Sequence, residues 1–429
     1  MFGEGFSISG LAIPAVSVLI AFLAYTSQYL FLHFESAPLT KDEAWKINIF
    51  ALCIWITYYR TCFVDPGRLP KAEERPKPEE SDAFTGRQRW CRRCEAYKPP
   101  RAHHCKTCKR CIPKMDHHCP WTSNCVSHFT IPHFMRFLFY ATVGMSYLET
   151  LLWQRASFVW KNSHLPSYLG PALGQLIHLF ILLVVNSLTT FALFILLLRS
   201  LWALGSNTTT IETWEIERHA TLVRRARVLG GYLEGPGGIR VYIKKQEYPY
   251  DIGIWANIKQ GMGGSANFIS WFWPLAAGPD PQSGWEFETN GFEDPGVAWP
   301  PPDPDRIPMP ARPPNAISMP TYATIQDEID AFNLRKREDM RRLRRNAGLQ
   351  RRKPFRDRYK KDDDYTPSES DEGEFGFDNE SDEGEESWRN AEGERLQDFG
   401  VDEEAEFYDE EDIPLGVLIQ RRREQQSAN

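Results

Sequence analysis

The chain has 429 residues and a formal charge of −7, from 50 Lys and Arg against 57 Asp and Glu. That length gives one large or two modest domains, and the acidic balance speaks against nucleic acid as a partner, since such proteins present a basic face. The low mean hydropathy suggests a soluble protein, but the average misleads: long apolar runs fill the first half, and a last third rich in Pro, Asp, Glu, Lys and Arg dilutes them.

Residues 6–33 carry no charge after Glu4, lack the basic start and small-residue cleavage site of a signal peptide, and are long enough for a first membrane span. A second span is expected over 46–64. Its uncharged core, Ile47 to Tyr59, is short, and it reaches spanning length if Arg60 snorkels and the helix continues to Val64. Asp65-Pro66-Gly67 then reads as a turn.

Seven of the nine cysteines fall between Cys91 and Cys125, with four histidines among them. Tetrahedral zinc takes four thiolate or imidazole ligands, often supplied by Cys-x2-Cys pairs. Here the Cys105-x2-Cys108 and Cys108-x2-Cys111 pairs overlap, which favours interleaved sharing between two ions. Six cysteines and two histidines would fill both sites and leave one thiol, for which Cys119 in Asp116-His117-His118-Cys119 is the candidate. A free thiol beside an imidazole and a carboxylate is the arrangement of an activated nucleophile. A domain over 85–130 has little apolar core, so metal is expected to supply its folding energy. A disulfide scaffold is disfavoured, since such domains are small and lack membrane runs.

A third span is expected over 134–155, where Glu149 must face the bundle interior or the interface. A fourth follows over 173–200, with His178 and Asn186 as polar interruptions. The loop between spans two and three is rich in Lys and Arg, as is the stretch after span four, so the positive-inside rule puts the cysteine-rich segment and both termini in the cytosol. Glutathione keeps thiols reduced there, and the Asn207-Thr208-Thr209 sequon would stay unglycosylated. In the region 205–263, Thr209 to Glu212 reads as a helix capping box. Residues 264–429 are expected to be a disordered tail: Pro-rich, then basic with a possible helix from Thr324 to Arg345, then acidic over Asp362 to Asp412 with Ser370 and Ser381 in Ser-Asp-Glu-Gly contexts.

The stretch around Asp116-His117-His118-Cys119 resembles the signature of the DHHC protein S-acyltransferases, membrane enzymes that palmitoylate cysteines. The match covers Cys91 to Cys125 nearly continuously, and the four-span layout agrees. Thr209-Thr210-Ile211-Glu212 and Asp65-Pro66-Gly67 stand where the family has its own motifs. Tyr248 to Gly263 resembles the family's C-terminal aromatic motif, with Tyr250 and Asn257 at matching positions. Tyr248 departs from the Asn often found there, and Ser127 and Thr130 depart from Gly and Asn.

The resemblance implies the fold class: an α-helical polytopic membrane protein with four transmembrane helices, a cytosolic double-zinc domain of short hairpins between helices two and three, and a disordered tail. It implies a first zinc on Cys91, Cys94, His104 and Cys111 and a second on Cys105, Cys108, His118 and Cys125. Cys119 becomes the acylated nucleophile, His117 its base and Asp116 the group that orients the imidazole. The implied activity is ping-pong transfer of a long-chain acyl group from acyl-CoA through Cys119 to cysteines of substrate proteins near the cytosolic membrane face. Trp121 and Phe134 are candidates to line the mouth, Lys98, Arg101 and His103 to meet the phosphates of coenzyme A, and Gly144 and Met145 to set cavity depth. The stretches His133 to Leu138 and Tyr248 to Asn257 resemble fungal acyltransferases of the endoplasmic reticulum that act on chitin synthase, with the Golgi as the alternative membrane. A zinc-binding membrane scaffold without acyltransferase activity is the competing reading, and the intact Asp-His-His-Cys run argues against it.

Overall fold

In the computed structural model, the described residues are 11–69 apart from 36, 90–91, 93–164, 166, 170–234, 240–291 and 388–402, with a few positions between 299 and 337. The start of the first expected span, residues 85–89, nearly all of the Thr324–Arg345 helix, and Ser370 and Ser381 lie outside the described residues.

Four long helices form the frame: α1 (Ala12–Leu32), α2 (Lys41–Phe63), α3 (Ile131–Lys161) and α4 (Leu173–Ser206). A π-helical turn, Phe22–Thr26, interrupts α1. Two of the four, α1 and α4, are long and apolar enough to cross a membrane. Helix α2 begins at a capping box, Thr40 with Glu43, five residues before its expected start. With 23 residues it is about 34 Å long, enough for a hydrocarbon core of about 30 Å. Leu23, Leu30, Phe31, Ile47, Met145, Leu148, Leu152, Leu179 and Leu182 interlock the four helices in one apolar core.

The polar groups on these helices face one another. Asn186 and Ser187 on α4 donate to the two Glu149 oxygens on α3, each at 2.6 Å, so the acidic residue looks into the bundle as expected. Arg155 pairs with Glu43 at 3.1 Å and lies over the Phe31 ring. Gly144 belongs to a helix crossing: a Cβ there would stand 3.0 Å from Phe50 Cβ on α2.

Between α2 and α3 lie three antiparallel hairpins of two- and three-residue strands: β1 (Trp90–Cys91) with β2 (Ala96–Tyr97), β3 (His103–Cys105) with β4 (Arg110–Ile112), and β5 (His117–Cys119) with β6 (Asn124–Val126). Their tight turns place Glu95, Lys109 and Ser123 at positive φ. After α4, Asn207 takes a left-handed conformation that ends the helix, as Asn tolerates better than most residues. Helix α5 (Thr210–Val228) then starts on the Thr209 capping box. A fourth hairpin, β7 (Tyr232–Glu234) with β8 (Arg240–Tyr242), precedes α6 (Ile254–Gly261) and α7 (Phe268–Phe272).

The tail departs from expectation. Residues 264–291 pack on the frame: Arg136 donates to the Ser270 and Trp271 carbonyls, Tyr140 to that of Phe272 and Arg60 to that of Pro274. A short 3-10 turn, Leu396–Phe399, is likewise docked, with Leu396, Phe399 and Val401 buried. The disordered boundary set at residue 264 is therefore too early. Scattered aromatic and aliphatic side chains supply enough apolar surface to fix these segments, even within charged or Pro-rich surroundings.

Candidate active site and metal clusters

Strand alternation sorts the site. Successive side chains in a strand point to opposite faces. In β3, His104 turns to one cluster with Cys91, Cys94 and Cys111, while Cys105 turns to another with Cys108, His118 and Cys125. In β5, His118 faces that second cluster, and His117 and Cys119 share the other face. The two quartets are the ones the family resemblance implies. Each could hold a metal ion.

The donors fit tetrahedral zinc. With Zn–S of about 2.3 Å and Zn–N of about 2.0–2.1 Å, sulfur and nitrogen ligands stand about 3.6 Å apart. His104 Nδ1 lies 3.3 Å from Cys91 Sγ, 3.3 Å from Cys94 Sγ and 3.6 Å from Cys111 Sγ. His118 Nδ1 lies 3.7, 3.5 and 3.6 Å from the sulfurs of Cys105, Cys108 and Cys125. Thiolates and imidazoles converging on one point, with no acidic oxygen, are the donor set of structural zinc sites.

On the other face of β5, Asp116 Oδ2 lies 2.8 Å from His117 Nδ1. Asp116 is itself held: the Thr210 backbone N–H donates to its Oδ1 at 2.6 Å, and the Thr210 hydroxyl donates to its carbonyl. The His117 ring and the Cys119 thiol lie on the same face of β5, and each shifts the other's titration. Burial disfavours charge on His117, but Asp116 and Cys119 overcome it and raise the ring's pKa to about 10. Burial likewise pushes the Cys119 thiol up, yet the hydrogen bond and charge of His117, with hydrogen bonds from Thr122, bring it below its ordinary value. The pairing thus favours the imidazolium and thiolate forms, and the thiolate is the nucleophilic form of a cysteine.

Cys119 is buried at 6 % exposure and packs with Val126, Phe134 and Leu138, with Phe137, Leu193 and Leu197 around them. The thiol therefore meets the apolar sides of α3 and α4, and the Phe134 ring stands edge-on to His117. Trp121 projects outward at 66 % exposure, while its carbonyl accepts from the Tyr58 hydroxyl.

Two of the motifs that resemble the family's own brace this arrangement. Gly67, at φ +99°, turns where a Cβ would strike the Phe129 ring. The Pro66 carbonyl accepts from Ser127 Oγ, and Asp65 caps Gly67 N and pairs with Arg110. Thr130 ties the start of α3 to the Cys125 carbonyl at 2.7 Å. Ser127 and Thr130, the two departures from the family pattern, are thus satisfied by each other and by the turn. Asn257 bridges Gly205 O and Asp251, and Tyr250 stacks under Arg101 at 4.4 Å.

Arg101 is a correction to the expected phosphate contacts. Its side chain is 1 % exposed, and Nε and Nη2 grip both Glu212 oxygens at 2.6 and 2.7 Å. The remaining donors go to Asn207 and the Tyr248 hydroxyl. Each partner holds the other charged: burial opposes it, but the ion pair raises Arg101 and lowers Glu212. Lys98 and His103 are buried as well, at 7 % and 2 %. Sequence reasoning missed the hub of this network. Asn207 accepts from Lys114 Nζ at 2.7 Å and donates to Tyr250 O and Gln260. The sequence marked Asn207 as a sequon residue; the signal for its structural role was a polar, left-handed-tolerant residue at the end of a long apolar run.

A buried thiol beside an imidazole–carboxylate pair, near two clusters that could hold metal ions and next to long apolar helices, is an arrangement suited to cysteine chemistry at a membrane. Residues 85–217 match the family model of the DHHC palmitoyltransferases. The chain is 66 % identical to palmitoyltransferase pfa4 of Aspergillus fumigatus over 99 % of this chain and 100 % of that protein. It is 65 % identical to palmitoyltransferase pfa4 of Emericella nidulans (99 % of each chain) and 41 % identical to palmitoyltransferase PFA4 of Gibberella zeae (97 % and 96 %). The chain belongs to the DHHC palmitoyltransferase family. It is a polytopic membrane protein with a cysteine-rich zinc-binding domain, and a protein-cysteine S-palmitoyltransferase.

Proposed function

We propose that Cys119 is the residue that carries the acyl group, with His117 as its proton acceptor and Asp116 holding the ring. The observation that carries this reading is the place of the Cys119 thiol: on the strand face it shares with His117, whose ring Asp116 holds at 2.8 Å, and packed against the apolar cluster of α3 and α4. The Cys119 thiolate attacks the thioester carbonyl of an acyl-CoA. A carbon–sulfur bond forms to Cys119, the bond to coenzyme A breaks, and the departing thiolate takes the proton from His117. A substrate cysteine then gives its proton to His117 and attacks the Cys119 thioester, restoring the thiol. Each step exchanges one thioester for another, so no ATP is consumed.

The two quartets would each hold a structural zinc ion, Cys91, Cys94, His104 and Cys111 the first, Cys105, Cys108, His118 and Cys125 the second. Zinc supplies folding energy to a domain with little apolar core. An acyl chain left in water costs about 0.8 kcal/mol per CH2, and Phe134, Leu138, Leu193 and Leu197 offer it an apolar path from the thiol. All four long helices span the membrane in this reading, with both termini and the hairpins in the cytosol. The membrane is that of the endoplasmic reticulum and the substrates include chitin synthase, which rests on the likeness of residues 133–138 and 248–257 to that fungal group.

Purified protein incubated with labelled palmitoyl-CoA should take up label that hydroxylamine releases, and Cys119→Ser should take up none. Equal labelling of that variant would sink the assignment. Metal analysis should return two zinc ions per chain. For the membrane and substrate, a fluorescent fusion should mark the endoplasmic reticulum, and chitin synthase should lose its acyl label in cells lacking this chain; unchanged labelling removes that substrate.

A further inference from the structure

We propose that residues 388–402 are an intramolecular strap that closes over the second metal cluster and slows loss of its ion. The proposal rests on the reading that this cluster holds zinc.

The strap adds to the edge of β3 as an antiparallel partner. Val401 pairs with Cys105, Lys106 N donates to Gly400 O at 3.0 Å, and Asp402 N donates to His104 O at 2.9 Å. These main-chain bonds cap a strand that carries one ligand of each cluster. Strand addition of this kind draws its affinity from the backbone and its specificity from alternating side chains. Here the side chains agree. Leu396, Phe399 and Val401 are buried with Ile112, Met115, Ile211 and Trp214, beside Cys105 and Cys125.

Gly400 shows how close the strap comes. It sits at φ +83°, and a Cβ there would stand 2.8 Å from the Cβ of His118. Only glycine permits both the turn and the approach to a metal ligand. Both ends are fixed. Trp388 meets Trp214 edge-on at 5.0 Å, and the Trp214 indole N–H donates to Glu394 O. Asp402 pairs with Arg93 at 2.6 Å. The strap also holds its own shape: Asn390 and Glu394 exchange hydrogen bonds, and Asp398 caps Arg395 N. The long connection to the rest of the chain is no obstacle, because the entropy of closing a loop grows only with the logarithm of its length.

The experiment uses the full chain, reading zinc loss to a chromogenic chelator and hydrogen exchange at the Lys106 amide. The Asp116 amide, bonded to Val126 O inside the third hairpin, serves as the internal reference. Gly400→Val forces a side chain into a left-handed position against His118 and should speed release of one of two ions about tenfold. Lys106 exchange should quicken while Asp116 exchange stays slow. Phe399→Ala, a milder change, should move both readouts the same way and serves if Gly400→Val does not fold. A wild-type Lys106 amide that exchanges as fast as an exposed one, or release unchanged when its protection is lost, overturns the strap. Protein that contains no zinc at all overturns the metal reading instead, while Lys106 protection still reports on the docking.

Discussion

The chain contains the tripeptide His-His-Cys twice, as His103-His104-Cys105 in β3 and His117-His118-Cys119 in β5. The registers match position for position: His104 opposes Cys111 and His118 opposes Cys125, a ligand pair in each case. What differs is the third residue. Cys105 crosses to the other cluster and staples the two together, whereas Cys119 belongs to neither. The preceding residues differ too, since Ala102 stands before one triplet and Asp116 before the other. The turns show where the difference arises. Cys91-x2-Cys94 and Cys105-x2-Cys108 are each followed by a residue at positive φ, Glu95 and Lys109. The third hairpin keeps that geometry, with Ser123 at positive φ, but has Thr122 where the second cysteine would be. One hairpin out of three has the shape of a metal knuckle and lacks a ligand, which leaves its first cysteine for chemistry.

The sharpest way to break this comparison exchanges the two cysteines' fates. Cys119→Ser should abolish thioester labelling and keep both zinc ions. Cys105→Ser should lower the zinc content and lose labelling only through the damaged scaffold. A Cys119→Ser protein that loses zinc would place Cys119 in a cluster and end the distinction.

Asp116→Asn tests the residue before the triplet. The carboxylate fixes the His117 Nδ1 proton, and an amide can present the wrong group to it. Acyl-enzyme formation should fall by about 10²–10⁴, the usual worth of general acid–base assistance. The pH profile carries the sign. With the Cys119 thiol lowered and the His117 ring raised to about 10, the reactive ion pair forms as pH rises through the thiol's pKa. It persists until the ring loses its proton near pH 10. Wild-type acylation should therefore rise at lower pH than for an ordinary thiol and change again near pH 10, where the ring loses its proton. In Asp116→Asn the upper limb should move to lower pH, because the partner that raises the ring is gone. An unchanged profile would remove the relay.

Much of this was legible from spacing. Spacing favoured interleaved sharing, and alternation makes each histidine diverge from the cysteine after it, but the full division into quartets came from the family resemblance. The Thr209 box was legible as a cap. Glu212 of that box and the neighbouring Thr210 also brace the site, one through Arg101 and the other through Asp116, which no local pattern reveals. Arg101 was misread for that reason: its partner lies 111 residues away, and a basic residue in a cytosolic segment looks like free surface until the fold closes over it. The strap was hidden by its surroundings, with Leu396, Phe399 and Val401 diluted in a run of acidic residues.

The buried ion pair gives the next test, because it braces the β5 hairpin without touching the thiol. Glu212→Gln leaves the Arg101 guanidinium buried without a counter-charge, and removing one partner of such a pair costs about 3–5 kcal/mol. Thermal unfolding should shift down accordingly, and labelling should survive below the new transition. If Glu212→Gln is as stable as wild type, Arg101 is freer than its hydrogen bonds imply, and its phosphate role returns to consideration.

Thr122→Val is the smallest and most direct probe of the incomplete knuckle. In the second knuckle the Cys108 backbone N–H donates to Cys105 Sγ at 3.3 Å, which helps hold that sulfur as a thiolate. Thr122 stands at the same place beside Cys119 and helps lower its thiol, while its hydroxyl donates to the Cys119 carbonyl at 3.4 Å. Valine keeps the volume and the backbone donor and removes only the hydroxyl. The hydroxyl lowers the thiol as a polar neighbour, so the Cys119 pKa should rise when it is removed. Alkylation of Cys119 at pH 7 should slow, zinc content should stay at two, and Thr122→Ser should restore the rate. An alkylation rate unaffected by valine would show that the backbone cradle and His117 suffice, and that the third hairpin stabilises its thiolate as a knuckle does, without help from the side chain that replaced the ligand.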